Sequence, residues 1–131
     1  MANEAVLITE TELPISVTVA NGAGIEKGTI LEMTDPRTGA ANDGTGDIVI
    51  GIAAQEKVAS DGKTTLACYQ GGIFDLTCSA GAGVTLGAHV ATSGANLIRD
   101  ATEAEIAAGK SLGIALETGS ADEVVQVKVR I

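Results

Sequence analysis

The residues Ala104-Glu-Ile-Ala-Ala-Gly109-Lys110-Ser111 have the spacing of a phosphate-binding loop, [AG]xxxxGK[ST], so nucleotide chemistry is the first question they raise. A working loop of that kind follows a strand and cradles phosphate oxygens with the amides of a glycine-rich turn. It then opens a helix whose N-terminus faces the phosphates. Here the order is inverted. Thr102 and Glu105 have capping-box spacing, Glu103 and Glu105 suit the positive end of a helix, and Gly109 falls where a left-handed C′ residue belongs. This pattern predicts a helix over about 100–109, N-capped by Asp100 or Thr102, that runs into a strand at Leu112-Gly-Ile-Ala-Leu116. Glu105 would stand where phosphates bind. The stretch reads as a helix-to-strand junction.

The other chemistry-bearing residues are sparse. Gly22-Ala-Gly-Ile25 and Gly81-Ala-Gly-Val84 are not a dinucleotide fingerprint, because strands rather than helices follow them. His89 is the single histidine, with no GxSxG elbow in the chain. A general base needs a nucleophile and an orienting partner in reach, so His89 reads as solvated or hydrogen-bonded. Asp43 and Asp47 flank a glycine-rich loop that could hold a cation, but the EF-hand spacing is absent. Cys68 and Cys78 with one distant histidine do not make a metal set, and they are expected as buried free thiols. If Gly71-Gly72 turned a hairpin, Cys68 would face Asp75 rather than Cys78. The expectation is a protein that is not an enzyme, with no catalytic, cofactor-binding or metal-binding residues, no cofactor and no small-molecule substrate.

Charge narrows the partners. With 17 acidic and 8 basic residues the net charge is −9, and the basic residues lie scattered singly, so no nucleic-acid partner is expected. The longest apolar run, Ile48 to Ala54, is too short to span a bilayer, and no membrane partner is expected. The N-terminal MANEAVLITETELP has no basic n-region of an export signal, which suggests a protein made in the cytoplasm and used without export. An acidic surface of this kind keeps an abundant protein soluble or complements a basic protein partner.

The elements that must position these residues are mostly strands. Hydrophobic residues make up 45% of the chain, yet Phe74 and Tyr69 are its only aromatics. The 17 glycines suit short β-strands joined by turns. Residues 1–14 read as an extended arm whose apolar anchor is Val6-Leu7-Ile8, and residues 15–131 as a single β domain. Ile15 to Val19 alternates as a strand, Ile30-Leu31 opens another that ends at Asp35-Pro36, and Ile48 to Ala53 is a buried one. Arg37 to Asp47 has no periodicity and reads as a surface loop. Asp61-Gly62 predicts a hairpin between Gln55–Ala59 and Thr64–Gln70. Ile73 to Cys78 is a strand, and the last strand points Val125, Val127, Val129 and Ile131 to one face.

The second half repeats the first. Gly22, Ala23, Gly24 and Gly28 match Gly81, Ala82, Gly83 and Gly87 at a separation of 59, and IGIA at 50–53 answers LGIA at 112–115 at a separation of 62. The pseudo-repeats run over about 21–78 and 80–131. Two copies are too few for a solenoid. The expected fold is mainly β: a compact barrel or sandwich of two related modules with one short helix.

In order along the chain there is a thin polar N-terminus, a Gly-flanked unit, a GIA strand and GGIFDL at 71–76. A second Gly-flanked unit at 83–90, a short acidic helix, LGIAL and an alternating last strand follow. This succession resembles the phage capsid cement, or head decoration, proteins. The resemblance implies a lambda-type β-tulip-like domain that assembles as a homotrimer on the outer capsid surface of the virion, binds the major capsid protein and stabilises the expanded shell. It also implies that the N-terminal arm adds a strand to a shell-protein sheet. In this chain the capsid-binding residues would be Val6, Leu7, Ile8, Thr9, Leu13 and Pro14. Deleting 2–13 would then leave a folded domain that no longer binds capsids. The alternatives are another phage structural module, such as a tail or fibre component, and a small ligand-binding or enzymatic β-barrel.

Overall fold

A computed structural model describes residues 2–131; Met1, the first residue of the expected arm, lies outside the described residues. Eleven strands and one helix follow in chain order. They are β1 (Val6–Thr9), β2 (Ile15–Thr18), β3 (Ile30–Asp35), β4 (Thr38–Ala41), β5 (Val49–Ala53), β6 (Thr65–Tyr69), β7 (Gly71–Cys78), β8 (His89–Thr92), β9 (Leu97–Asp100), α1 (Glu103–Ala107), β10 (Gly113–Ala115) and β11 (Val124–Arg130).

The two expected modules are each a closed five-stranded barrel. The first has the order β2-β4-β3-β5-β6. The second has β7-β11-β10-β8-β9, closed by a parallel β7–β9 pair at Thr77↔Leu97 and Cys78↔Ile98. Strand for strand the pairings coincide: the parallel β2–β4 pair answers β7–β9, and antiparallel β2–β6 answers β7–β11. Even the isolated bridges match, Ile25↔Lys57 in one barrel and Val84↔Gly119 in the other. Closure removes the exposed edges that two small open sheets would present.

The repeated GIA motif has a physical cause. At Gly51 an added Cβ would lie 2.6 Å from the Tyr69 carbonyl oxygen, and at Gly113 one would collide with the Lys128 carbonyl. The backbones approach too closely for any side chain. The register of β3 against β5 slips beside Gly51, so Val49 and Ile52 face away from their own barrel while Ile50 and Ala53 face into it. Val17, Val19, Ile25, Leu31, Ile50, Ala53, Leu66 and Cys68 fill the first barrel. Phe74, Leu76, Cys78, Val90, Ile98, Leu112 and the inward valines of β11 fill the second.

The barrels share a seam. Ile30, Val49 and Ile52, all on the outside of the first barrel, belong to the apolar cluster of the second. Tyr69 packs there edge-on to Phe74 with ring centroids 5.7 Å apart. Asn96 ties the seam by accepting from the Ile30 amide at 3.0 Å. The Gly46 amide donates to the Thr92 carbonyl and the Gly94 amide to the Gly44 carbonyl.

Several boundaries move. The segment 37–47 is not a surface loop: β4 pairs with β3, and Asn42 is buried. Its Thr-Gly-Ala-Ala side chains are too small to show a period. Gln55–Ala59 and Thr64–Gln70 do not form a hairpin, because β6, within the second segment, pairs with β5 and β2 instead. The module boundary falls at Gln70, so 71–78 opens the second barrel rather than closing the first. Gly71-Gly72 is strand and not a turn, which leaves Cys68 and Cys78 as free thiols in two different cores.

Candidate functional site

The helix-to-strand junction has the geometry of a capped stop. Thr102 is the N-cap; its hydroxyl accepts from the Glu105 amide, and the Glu105 carboxylate accepts from the Thr102 amide. Gly109, at φ 75°, donates to the Ile106 carbonyl, and the Lys110 amide reaches back to the Glu105 carbonyl at 2.9 Å, a Schellman closure. The helix, at 103–107, is shorter than the span of about 100–109 because Leu97–Asp100 continues as β9. Both Glu105 oxygens are held by the Arg99 guanidinium, at 2.7 and 2.8 Å. That fork and the Thr102 amide hold the carboxyl well down, at about 2. The would-be phosphate position is filled by an ion pair.

His89 meets Ser111, with Nδ1 3.0 Å from Oγ, and Ser111 Oγ in turn donates to the Gly113 carbonyl at 3.2 Å. When the Ser111 proton is directed to Gly113, the matching His89 tautomer carries its proton on Nδ1 and donates to Ser111, the reverse of an activated nucleophile. Asp43 and Asp47 gather beside Glu32, whose carboxyl is pushed up by burial first and then by the two aspartates. Among the described residues no group of three His, Cys, Asp or Glu side chains is arranged to hold a metal. Burial raises the Cys68 thiol to about 11 and moves Cys78 in the same direction.

The N-terminal segment differs from the free arm that its sequence suggests. β1 lies antiparallel on β7 in the register Val6↔Asp75, Leu7↔Phe74 and Thr9↔Ile73, with an irregularity at Ile8. Ala5 is buried in the second core and Leu7 packs against it. Upstream, the Ala5 amide donates to the Gly28 carbonyl at 2.8 Å and Asn96 Nδ2 donates to the Ala2 carbonyl at 3.1 Å. The segment is thus a strap across both barrels. Downstream, burial and then the neighbouring Glu10 carboxylate hold the Tyr69 phenol above its ordinary range.

Among the described strands, β1 alone is paired on one side only. Of the six residues expected to bind, Val6 is 57% exposed, Ile8 46% and Leu13 77%. Thr9 is also exposed, whereas Leu7 and Pro14 are half-buried. The structure therefore leaves one edge of β1 unpaired and exposes Val6 and Ile8 on it and Leu13 in the segment that follows. Ala5 was missed in the sequence because a lone alanine in a polar run carries no periodic signal.

No family model matches the chain, and no curated protein does. Among solved structures, the N base of the head fiber gp8.5 of bacteriophage phi29 superposes with a TM-score of 0.55. The match covers 89% of this chain and 92% of that chain at 12% sequence identity. At that identity the likeness is one of fold, and its near-complete mutual coverage takes in both barrels.

Proposed function

We propose that this chain is a non-catalytic structural protein of a phage virion that binds the outer surface of the head through the open edge of β1. The observation that carries the reading is the fold, shared over 89% of this chain with the N base of a phage head fiber. The mode of attachment rests on the one described strand with an unpaired edge, on its exposed Val6 and Ile8, and on the exposed Leu13 beyond it. A shell-protein strand laid on that edge gains main-chain hydrogen bonds, and the three side chains give register. A trimer of such chains on neighbouring shell subunits would multiply modest contacts through effective concentration. Binding that favours the expanded lattice would cement it.

The test uses substitutions, because deleting 2–13 would remove Ala5 and β1 from the core and so measure folding as well as binding. The variant Val6→Glu/Ile8→Glu/Leu13→Glu is expected to stay folded by circular dichroism, with a modest loss of thermal stability because position 6 faces Asp75, and to lose co-sedimentation with purified heads. Full occupancy by that variant overturns the β1-edge mode.

A second reading, a fibre base, is favoured by the same fold. Cryo-microscopy of the particle separates the two: a cement protein leaves this chain as the outermost density, whereas a fibre base carries further density beyond it.

A further inference from the structure

The duplication supplies an occupied and an empty version of one site. Gly28 and Gly87 are equivalent by sequence and by hydrogen bonding. The Gly28 amide donates to the Ala53 carbonyl at 2.9 Å, and the Gly87 amide to the Ala115 carbonyl at 2.8 Å. Both residues are left-handed, at φ 89° and 80°.

Their surroundings differ. Over Gly28 runs the N-terminal strap: the Gly28 carbonyl accepts from Ala5, and a Cβ on Gly28 would collide with the Ala5 carbonyl. Over Gly87 the space is open, and a Cβ there would meet no atom within 4 Å. The flanking residues have changed with the vacancy. Leu86, 63% exposed, stands where the first barrel has Lys27, and Leu116, 39% exposed, stands where it has Ala54. Thr85 replaces Glu26 and donates from its amide and its hydroxyl to the Asp100 carboxylate, at 3.0 and 2.9 Å. Glu117 replaces Gln55. Across these four positions the empty version has lost the Lys27 cation, exchanged Glu26 for Glu117 and exposed two leucines, and it has the Asp100 carboxylate beside Thr85.

We propose that Leu86, Gly87 and Leu116 form a seat for an extended segment of another protein, crossing Gly87 as Glu4-Ala5 crosses Gly28. The segment places a small residue over Gly87, which admits close backbone approach, and an aliphatic side chain against Leu86 and Leu116. It carries a lysine or arginine toward Asp100 and Glu117. The N-terminal segment of a second copy is the wrong occupant. It is already held within its own chain by Gly28, Asn96 and β7, and its Glu4 would meet Asp100. The seat lies on the second barrel, apart from the β1 edge, and stands whether or not the protein bound at that edge is a capsid shell.

The probe is a synthetic peptide copying residues 2–9 with Glu4→Lys, titrated into the isotope-labelled full chain by NMR. Saturable shifts are expected in the amides of 85–88 and 116–118, with the unaltered Glu4 peptide binding at least about fivefold more weakly at low salt. Leu86→Lys, which restores the first barrel's residue type at an exposed position, is expected to weaken the probe by about tenfold, the scale of one lost leucine contact. Its remaining spectrum should be unchanged. Shifts that map elsewhere, equal binding of the two peptides, undetectable binding, or an unaffected Leu86→Lys variant each overturn the seat.

Discussion

Lys57 is the only charged residue among the described buried ones. Its ammonium donates to the carbonyls of Asn21, Ala23 and Val58 at 2.6, 2.8 and 3.3 Å, and Asp61 lies 3.5 Å away. A buried ammonium is tolerated when each proton has an acceptor, and here backbone geometry supplies all three. The second barrel solves the same position with Gly119, where an added Cβ would collide with Val125. One module therefore closes its turn with a charge and the other with close packing. Lys57→Ala takes the ammonium from the Ala23 and Val58 carbonyls, leaves the Asn21 carbonyl with the Ser60 amide alone, and opens a hole. It is expected to lower unfolding free energy by about 2–4 kcal/mol, read from urea denaturation.

At the scale of elements, α1 is one short turn that its sequence alone could not hold, since isolated helices of this length do not persist in water. What holds it is the capping box together with the Arg99–Glu105 fork, which also sits against the seam: a Cβ on Gly46 would collide with the Glu105 carboxylate. Because the folded-state value of Glu105 lies near 2 and its ordinary value is 4.5, the pair's stabilisation is fully present above about pH 4.5. It is lost as pH falls toward 2, a loss of about 1–3 kcal/mol. Glu105→Gln should therefore be less stable than wild type at pH 7, with the two converging toward pH 2 in thermal melts. A constant gap across that range would sink the assignment. Glu32 runs the other way, since its raised carboxyl costs stability when ionised and relieves it as acid is added.

For the whole molecule, two barrels of about 60 residues each would be marginal alone. The seam makes them one body: Ile30, Val49, Ile52 and Tyr69 complete the second barrel's apolar cluster, and the N-terminal strap crosses from one barrel to the other. A single unfolding transition is expected. Tyr69, the one tyrosine in a chain without tryptophan, lies at the seam, so its fluorescence should report the same midpoint as far-UV circular dichroism. A fragment of residues 71–131 is expected not to fold. Two separated transitions, or a dispersed spectrum from the fragment, would show that the barrels are independent.

The features legible in the chain are those whose causes are local. Thr102, Glu105 and Gly109 specify the start and stop of α1 within eight residues, because caps depend on neighbouring backbone groups. The alternation of Val125, Val127 and Val129 gave the inward face of β11. The repeated GIA motifs foretold the duplication, because each glycine is required where two backbones nearly touch. What tertiary structure decided has long-range causes. Adjacent β6 and β7, separated by Gln70 alone, went to different barrels because their hydrogen-bonding partners lie in different halves of the chain. Small residues at 38–41 became a strand because β3 was there to pair with them. Ala5 and Leu7 became core, and an expected free arm became a strap, because only the folded second barrel offers the open edge of β7 and the cluster they cover. Composition and spacing determined two β modules. Which faces met, and which edge stayed open, was settled by contacts between residues far apart in sequence.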